Sequence, residues 1–401
     1  MHQAHRITSA IKIIEAYLKS AIGQHGNVLP LSVFMAQYYK ANKQMGSKDR
    51  KIASSLVYNY FRLGNVINGA TLQERLLIAN FLCQTDNDSI FSTIFENTAF
   101  YKLLSLSQEE KISLIKKTYP DFSLNNLFSF LPEFSAAIDI KDFYASFLKQ
   151  PLLWIRVKKD KISQIVSDLE SNNIDYVRDE AFPHSLSFLN GTSLENLKSK
   201  QKGFFEIQDI SSQLTGNHFQ AKAGENWWDC CAASGGKSLL LSDITPNLKI
   251  LATDTRDRIL INLKNRFHLS GIKDFQVQQA DLMGSFKINK PYKFFDGIIA
   301  DVPCSGSGTW ARTPEMLTFF SQEIILGFQH KQKTIASNVI PYLKPGKALV
   351  YITCSVFKSE NEDVVNYLSE KYNLEIEHSG LITGYNRRSD TLFVARLVKR
   401  S

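Results

Sequence analysis

Long hydrophobic runs are missing from this chain of 401 residues, and so are internal repeats and low-complexity segments. A membrane-spanning helix needs about 20 consecutive apolar residues, and no stretch approaches that length. The N-terminal stretch MHQAHRITSAIKIIEAYLKS interrupts its apolar residues with charged ones, whereas a secretory signal needs an unbroken apolar core. We therefore expect no membrane association, a cytoplasmic location and a helix at the N-terminus.

Cysteine is scarce as well, and the five cysteines are Cys83, Cys230, Cys231, Cys304 and Cys354. They are odd in number and show no C-x-x-C spacing, so we predict neither disulfides nor a metal site. Acidic residues are outnumbered by basic ones, 39 against 47, which leaves a formal net charge of +8. Lysine and arginine neutralise phosphates and release counterions. The charge therefore suits a nucleic-acid partner, although it also serves solubility.

Helical periodicity dominates residues 1–147, which we predict to form an all-α domain, because apolar residues recur every three to four positions. The helical stripes lie at 7–18, 52–64 and 72–84, and the turn signals at 42–48, 86–89 and 119–122. Ser107 offers an N-cap for a further helix. Basic and aromatic residues interleave around Tyr58 and Phe61, a pattern that suits either RNA binding or a helix core.

Two further domains are predicted after the helical one. In residues 148–207, strand-like stretches flank an amphipathic helical stretch, so we expect a small α+β module. Residues 208–401 alternate strand-like and helical stretches, which predicts a doubly wound, Rossmann-like α/β fold with a mainly parallel sheet. The predicted strands are 227–229, 250–253, 275–279, 295–300, 348–353 and 392–397. Ligands of such a sheet bind at the carboxyl ends of its strands.

A glycine-rich loop follows the first of these strands in the stretch WWDCCAASGGKS. Gly235 and Gly236 allow backbone N–H groups to approach a ligand closely, just before a helix begins. The triplet 236–238 also matches the end of a P-loop, which would favour a nucleotide triphosphatase. That motif needs a glycine six positions before Lys237, where this chain has Cys231. The missing glycine disfavours the triphosphatase.

Two acidic residues end the next strand-like stretches. Asp254 ends ILATD, where a carboxylate can accept hydrogen bonds from a ribose. Asp281 ends FQVQQAD, where it can meet an adenine amino group. Each acid alone is more often a helix cap or part of a solvated turn than a functional residue. Their order behind the glycine loop favours a nucleoside ligand without a triphosphate.

Two cysteines follow two later strand-like stretches, Cys304 in DVPCSGSG and Cys354 in YITCS. Because the carboxyl ends of parallel strands meet at one edge of a sheet, we expect both cysteines at that edge. A lone cysteine in apolar surroundings is usually a small buried hydrophobe. Here both cysteines neighbour hydroxyl-bearing residues, where a substrate could reach a thiolate.

These motifs resemble those of the Nop/Sun family of RNA 5-methylcytosine methyltransferases, in particular its bacterial RsmB (Sun, Fmu) type. Residues 229–238 resemble the family pattern D-x-C-A-A-P-G-G-K-T, and 301–306 and 353–355 match its two cysteine motifs. Two different cysteine motifs in this order behind a cofactor loop form a specific signature. The similarity is strong from about Gln208 onward and weaker over 150–207. In the helical region it is a loose similarity to a NusB-like, RNA-binding domain.

The resemblance implies that the chain transfers a methyl group from S-adenosylmethionine to carbon 5 of a cytosine in RNA. It assigns Cys354 to the attack on the base and Cys304 to product release, with Asp301 between cofactor and base. It places Lys237 at the edge of the base or cofactor, and Asp254 and Asp281 at the ribose and adenine ends. The cofactor loop implied by the resemblance consists of Cys231, Ala232, Ala233, Ser234, Gly235, Gly236 and Lys237. We expect a monomer acting on ribosomal RNA, and transfer RNA stays open as substrate.

Thiols suit this reaction because carbon 5 of cytosine is too poor a nucleophile to take a methyl group unaided. Addition of a thiolate to carbon 6 makes the ring enamine-like, which activates carbon 5. A carboxyl group such as that of Asp301 can protonate ring nitrogen 3 or hydrogen bond to it, which favours the addition. The second half of the reaction needs a group that helps the proton leave carbon 5.

Three residues depart from the family pattern. Ser234 replaces the loop proline, Ile259 stands where an arginine is usual, and Thr391 stands where a glycine is common. Loss of the fixed φ of proline predicts a more flexible cofactor loop. The alternative function is a catalytically silent RNA-binding ribosome assembly factor that has kept the fold. Binding alone has no need of both cysteines, Lys237 and Asp301 together, which disfavours this alternative.

Overall fold

The structure is a computed structural model that describes residues 3–22, 28–83, 95, 98, 100–289 and 293–400. The chain forms two compact units. The first unit comprises Met1–Pro132, Asp139–Gln150 and Trp310–Ile324, and the second comprises Glu133–Ile138, Pro151–Thr309 and Ile325–Ser401. The domain boundaries at 147 and 207 stay predictions. Within the described residues, no helix is long and apolar enough to cross a membrane.

The first unit is helical in the part that the structure describes. Its helices are α1 (Gln3–Ala21), α2 (Leu31–Ala41), α3 (Ser47–Arg62), α4 (Leu72–Leu82), α5 (Gln108–Thr118), α6 (Ile140–Ser146) and α12 (Met316–Phe319). Helix α5 starts where the sequence predicts, because Ser107 caps it and exchanges hydrogen bonds with Glu110. Phe61 is buried and lies edge-on against Tyr17, so it belongs to the helix core. The predicted turn at 86–89 lies outside the described residues.

The second unit begins with a small antiparallel sheet. Its strands are β1 (Leu153–Val157), β2 (Val177–Arg178), β3 (Ser185–Phe188) and β4 (Phe205–Ile207), in the order β2-β3-β1-β4. Helices α7 (Ile162–Ser171) and α8 (Lys198–Gln201) accompany it. Ile165 and Leu169, four residues apart on α7, are buried with Ile155 and Leu186 of the sheet. This arrangement confirms the predicted α+β character.

The remainder of the second unit is the predicted doubly wound fold. Its strands are β5 (Asn226–Asp229), β6 (Lys249–Asp254), β7 (Phe275–Gln279), β8 (Phe295–Asp301), β9 (Leu343–Thr353), β10 (Leu374–Ile382) and β11 (Leu392–Lys399). Its helices are α9 (Ile210–Leu214), α10 (Gly236–Ile244), α11 (Asp257–Leu269), α13 (Gln322–Val339) and α14 (Glu362–Tyr372). The sheet order is β10-β11-β9-β8-β5-β6-β7, and the five strands from β9 to β7 are parallel.

All six predicted strands of this sheet are present, and the prediction missed β10. That strand reads LEIEHSGLI and pairs antiparallel with β11 at the edge of the sheet. Most of its residues are at least partly exposed, so it lacks the apolar run that reveals the central strands. Apolar clusters cover both faces of the sheet and include the indole rings of Trp227 and Trp228. Gly297 makes room for Trp227, since a Cβ there would lie 2.4 Å from the ring.

Candidate active site

The two cysteines that the sequence places at one sheet edge are in contact. Strands β8 and β9 are parallel neighbours, and Asp301 at the end of β8 pairs with Ile352 on β9. The loops that follow bring Cys304 Sγ and Cys354 Sγ within 3.3 Å of each other. Both side chains are partly exposed. The prediction that both thiols lie at one edge is therefore confirmed in its geometry.

Cys304 holds its proton more firmly than an ordinary cysteine does. The hydrogen bond with Cys354, burial and the charge of Glu360 raise the pKa of Cys304 well above its ordinary value. A thiol that keeps its proton can donate a hydrogen bond to a neighbouring thiolate. Cys304 can therefore act as the hydrogen-bond donor in this pair.

A buried carboxylate that the sequence analysis missed connects the two cysteine loops. Glu360 accepts hydrogen bonds from Ser305 N at 2.8 Å and from the hydroxyls of Ser305 and Ser355 at 2.5 Å each. These serines directly follow Cys304 and Cys354. Gln332 donates a fourth hydrogen bond at 2.9 Å. Burial raises the pKa of Glu360, and these hydrogen bonds oppose that shift.

The backbone of the two cysteine loops is also joined directly, through Gly308. Its N–H donates to Cys354 O at 2.9 Å, and its carbonyl accepts from Thr391 N at 3.0 Å. A Cβ at Gly308 would lie 1.9 Å from Thr391 O, so only glycine fits this close approach. Thr391, one of the departures from the family pattern, is buried, and its hydroxyl accepts a hydrogen bond from Gly384 N at 3.2 Å.

Lys237 and Asp301, both predicted site residues, form an ion pair. Lys237 Nζ lies 2.9 Å from Asp301 Oδ2 and 2.9 Å from Ser212 Oγ. Lys237 is buried, because it lies on the first turn of α10, whereas a third of the Asp301 side chain is exposed. Asp301 is therefore held by the lysine and still reachable by a substrate.

The glycine loop between β5 and α10 adopts a conformation that needs small residues. Ala233 has φ 45°, and Gly235 has φ 86° and is the N-cap of α10. A Cβ at Gly235 would lie 2.9 Å from the ring of Phe267, so the loop packs tightly against α11. On the other side, a Cβ at Gly236 would meet nothing within 4 Å. The start of α10 is therefore open on this side, which leaves room for a ligand at the helix N-terminus.

The predicted ribose acid, Asp254, is buried at the end of β6 and is already engaged within the chain. It accepts hydrogen bonds from Ala233 N at 3.0 Å and from the Arg256 guanidinium at 2.9 and 3.1 Å. The hydrogen bonds with Arg256 keep the pKa of Asp254 below its ordinary value despite burial. The Arg256 side chain is 59% exposed. A ribose hydroxyl can therefore replace this arginine on Asp254 without breaking a buried contact.

Asp281 follows β7 at the neighbouring strand end and is exposed, with Oδ1 accepting a hydrogen bond from Met283 N at 2.9 Å. The structure thus places Asp254, Asp281 and Asp301 at the carboxyl ends of β6, β7 and β8, on the same edge as the glycine loop. The polar groups at this edge are carboxylates, which can accept hydrogen bonds from a ribose and an amino group, and helix N–H groups, which can donate hydrogen bonds to a carboxylate.

Asp229 is a second residue that the sequence analysis passed over as a functional group. It lies at the end of β5 beneath the glycine loop and is 1% exposed. Its Oδ2 accepts a hydrogen bond from Ser238 at 2.7 Å, whereas Oδ1 is buried and meets no partner among the described residues. Burial, together with the charge of Asp301, raises the pKa of Asp229 to about 7. An unpaired buried oxygen beside the loop fits a ligand that brings a hydrogen-bond donor.

Comparison with known proteins finds relatives of this region. Residues 217–391 match the family model described as 16S rRNA methyltransferase RsmB/F. Ribosomal RNA small subunit methyltransferase B from Enterobacter sp. (strain 638) is 27% identical over 237 residues, which cover 58% of this chain and 54% of that protein. The protein of the same name from Proteus mirabilis is 28% identical and covers 63% of this chain and 60% of its own length. The chain therefore spans little more than half the length of these relatives.

Solved structures extend the similarity of fold. The structure described as PH0851 superposes with a TM-score of 0.70 and 20% identity and covers 98% of both chains. NSun6 from Pyrococcus horikoshii with SFG has a TM-score of 0.58 and 17% identity, over 69% of this chain and 97% of that one. Both share the Rossmann-like fold described above. Over residues 217–391, the chain is therefore similar to the 16S rRNA methyltransferase RsmB/F family.

Proposed function

We propose that this protein methylates carbon 5 of a cytosine in RNA, with S-adenosylmethionine as methyl donor. The observation that carries the proposal is the pair of thiols 3.3 Å apart, at the same sheet edge as a glycine loop and three strand-end carboxylates. Thiols in contact with one another suit a reaction in which one sulfur bonds to the base and the other assists its departure.

Cys354 is the nucleophile in this proposal. Its thiolate adds to carbon 6 of cytosine, and the electron pair of the carbon 5–carbon 6 double bond moves into the ring toward nitrogen 3. Asp301 takes up a proton from solvent, donates it or a hydrogen bond to nitrogen 3, and takes the proton back when the thiolate leaves. Lys237 lies 2.9 Å from Asp301 Oδ2 and orients the carboxyl group. Bound S-adenosylmethionine supplies the sulfonium methyl group that carbon 5 takes up.

Cys304 completes the reaction. Once Cys354 is bonded to carbon, it no longer accepts the hydrogen bond that is the largest cause of the raised pKa of Cys304. Cys304 can then lose its proton to solvent and accept the proton of carbon 5. The electrons of that carbon–hydrogen bond restore the carbon 5–carbon 6 double bond, the carbon–sulfur bond breaks, and the thiolate of Cys354 is released.

The donor is held, in this proposal, by residues 231–237 of the glycine loop together with Asp254, Asp281 and Asp301. The open space at Gly236 and the unpaired Oδ1 of Asp229 support this assignment. Retention of radiolabelled S-adenosylmethionine, with no retention of ATP, tests it directly. Retention of ATP instead would favour the triphosphatase that the missing loop glycine disfavours.

RNA contact by the small sheet is supported by a lysine cluster. Lys158 N donates to Phe204 O at 2.9 Å, which brings the turn after β1 next to the turn before β4. The ammonium groups of Lys161 and Lys202 lie 5.2 and 5.7 Å from the centre of the Phe204 ring. None of the cluster lysines forms an ion pair with a described residue, so their charge is available to phosphates. The cluster consists of Lys158, Lys159, Lys161, Lys198, Lys200 and Lys202.

Ribosomal RNA is the proposed substrate, because the relatives reported above are named ribosomal RNA methyltransferases. Bisulfite sequencing of ribosomal and transfer RNA, with and without the gene, identifies the modified cytosine. A position that loses its methyl group in the small-subunit ribosomal RNA supports the proposal. Unchanged methylation of both RNA classes, with retained RNA binding, would favour the silent assembly factor.

A further inference from the structure

Arg266 contacts the glycine loop at the position where the chain departs from its family. It lies on the last turn of α11, and its Nη1 donates hydrogen bonds to Ser234 O at 2.5 Å and to Ser234 Oγ at 2.9 Å. Its Nη2 donates to Glu206 Oε2 on β4 at 2.7 Å. The guanidinium group therefore joins three elements: the glycine loop, helix α11 and the small sheet.

The partner that orients Arg266 is fixed in place. The Glu206 side chain is 7% exposed, whereas that of Arg266 is 28% exposed. Glu206 belongs to β4, and its backbone lies opposite that of Arg156 on the neighbouring strand β1. A guanidinium group with one end on such a carboxylate has few remaining orientations, so its other end reaches Ser234 in a defined geometry.

The loop needs an external support because its backbone is strained. Ala233 has φ 45°, a left-handed conformation that costs energy in a residue other than glycine. The family proline would follow Ala233 and fix the next φ by its ring. Ser234 has no such restriction, and within the described part of the chain its N–H has no hydrogen-bond partner. A proline there would therefore break no backbone hydrogen bond.

We infer that Arg266 is a positioning residue that does for this loop what the proline ring does in the family pattern. It acts on the donor only through Ser234. The inference rests on the proposed function, because it treats residues 231–237 as the loop that holds S-adenosylmethionine. It follows that tight donor binding requires Arg266 when residue 234 is serine, and does not require it when residue 234 is proline.

The test compares four proteins in equilibrium binding of S-adenosylmethionine. Arg266→Ala raises the dissociation constant about tenfold, the effect of losing one charge-assisted hydrogen-bond system. Adding Arg266→Ala to Ser234→Pro changes the dissociation constant by less than about twofold relative to Ser234→Pro alone. Arg258→Ala is the matched control, since Arg258 is exposed on the same helix and has no described contact with the loop.

A second measurement needs no ligand. The N–H of Gly235 donates to Ala232 O at 2.7 Å inside the loop, so its hydrogen exchange reports how firmly the loop is held. Exchange at Gly235 is faster in Arg266→Ala, unchanged in Arg258→Ala and slow again when Ser234→Pro is added. Thermal unfolding of each variant identifies any that fail to fold. Arg266→Lys serves as the milder replacement, because it keeps the positive charge but lacks the guanidinium group that contacts Ser234 and Glu206 together.

The inference is wrong if Arg266→Ala binds S-adenosylmethionine and exchanges the Gly235 amide hydrogen as the wild type does. It is also wrong if Arg266→Ala weakens donor binding by the same factor whether residue 234 is serine or proline. Failure of the wild type to bind S-adenosylmethionine would instead overturn the proposed function. In that case the exchange measurement still decides whether Arg266 positions the loop.

Discussion

Replacing Glu360 with alanine should reduce methyl transfer far more than it reduces donor binding. Glu360 accepts four hydrogen bonds, from Ser305 N, the hydroxyls of Ser305 and Ser355, and Gln332 Nε2. Three of these four donors belong to Ser305 and Ser355, which directly follow Cys304 and Cys354. Without the carboxylate, the two loops lose the group that sets the 3.3 Å distance between their sulfur atoms.

The cost in stability follows from which donors can find other partners. The two serine hydroxyls can turn toward Ser307, which already lies 3.1 Å from each. The N–H of Ser305 and the amide of Gln332 lose an acceptor, and each unpaired buried donor costs about 1–3 kcal/mol. With relaxation of the cavity, we expect Glu360→Ala to lower the free energy of unfolding by about 2–4 kcal/mol. Glu360→Gln keeps one acceptor oxygen and the side-chain shape, so about 1 kcal/mol is expected.

The assay combines denaturant unfolding, donor binding and methyl incorporation into RNA. Glu360→Ala should lower kcat more than tenfold while the dissociation constant for S-adenosylmethionine changes less than about twofold, because Glu360 has no described contact with the glycine loop. Glu362→Ala is the control, since Glu362 is two residues away and bonds to Ser135 and Ala136 instead. A fully active and fully stable Glu360→Ala protein would refute the reasoning, and so would a parallel loss in Glu362→Ala.

Three further changes probe the site. Cys354→Ala should abolish methyl transfer, whereas Cys304→Ala should accumulate a covalent protein–RNA band on a denaturing gel; a band that persists in the double variant would contradict the assignment. Asp229→Asn should flatten the pH dependence of unfolding between about pH 4 and 7. Because the pKa of Asp229 is raised to about 7 in the folded protein, its protonated carboxyl group stabilises the fold below the pKa of the unfolded chain, and this stability is lost as pH rises toward 7. If urea titrations show the same pH dependence of the free energy of unfolding in Asp229→Asn as in the wild type, the prediction is wrong. Gly308→Ala should lower the melting temperature and inactivate the enzyme, because its Cβ would lie 1.9 Å from Thr391 O, whereas Gly327→Ala, with nothing within 4 Å, should have little effect.

The sequence predicted that the two thiols lie at the same edge of the sheet, because that placement depends on a simple rule of topology. Parallel strands end at the same edge, so residues shortly after β8 and β9 must lie near each other. The central strands were equally predictable, since burial on both faces requires continuous apolar runs. The edge strand β10 escaped prediction because one of its sides needs no apolar residues.

Glu360 could not be predicted in the same way. Its partners lie 55 residues before it and 5 residues before it, and they meet only after β8 and β9 pair. In the sequence it stands in KSENED, an acidic run that indicates a helix N-terminus. Asp229 was equally hard to recognise as a functional group, because the sequence does not show that its side chain is buried. For both residues, the pKa and the contribution to stability depend on the groups that surround the side chain in the folded protein.

The two halves of the site are held by different forces, and they should respond differently to salt. The thiol pair is fixed by buried hydrogen bonds around Glu360 and by the close packing of Gly308 against Thr391. In the proposed donor site, the glycine loop is held by Arg266, whose side chain is 28% exposed, whereas Arg256 gives way to the ribose of the donor. Salt shortens the screening distance from about 8 Å at physiological strength to about 3 Å at 1 M, and it acts on exposed charges far more than on buried hydrogen bonds. Rising salt should therefore weaken donor binding while the rate at saturating donor changes little, provided that a short RNA is kept in excess. The reverse order of sensitivity would mean that the thiols, rather than the loop, depend on exposed charge.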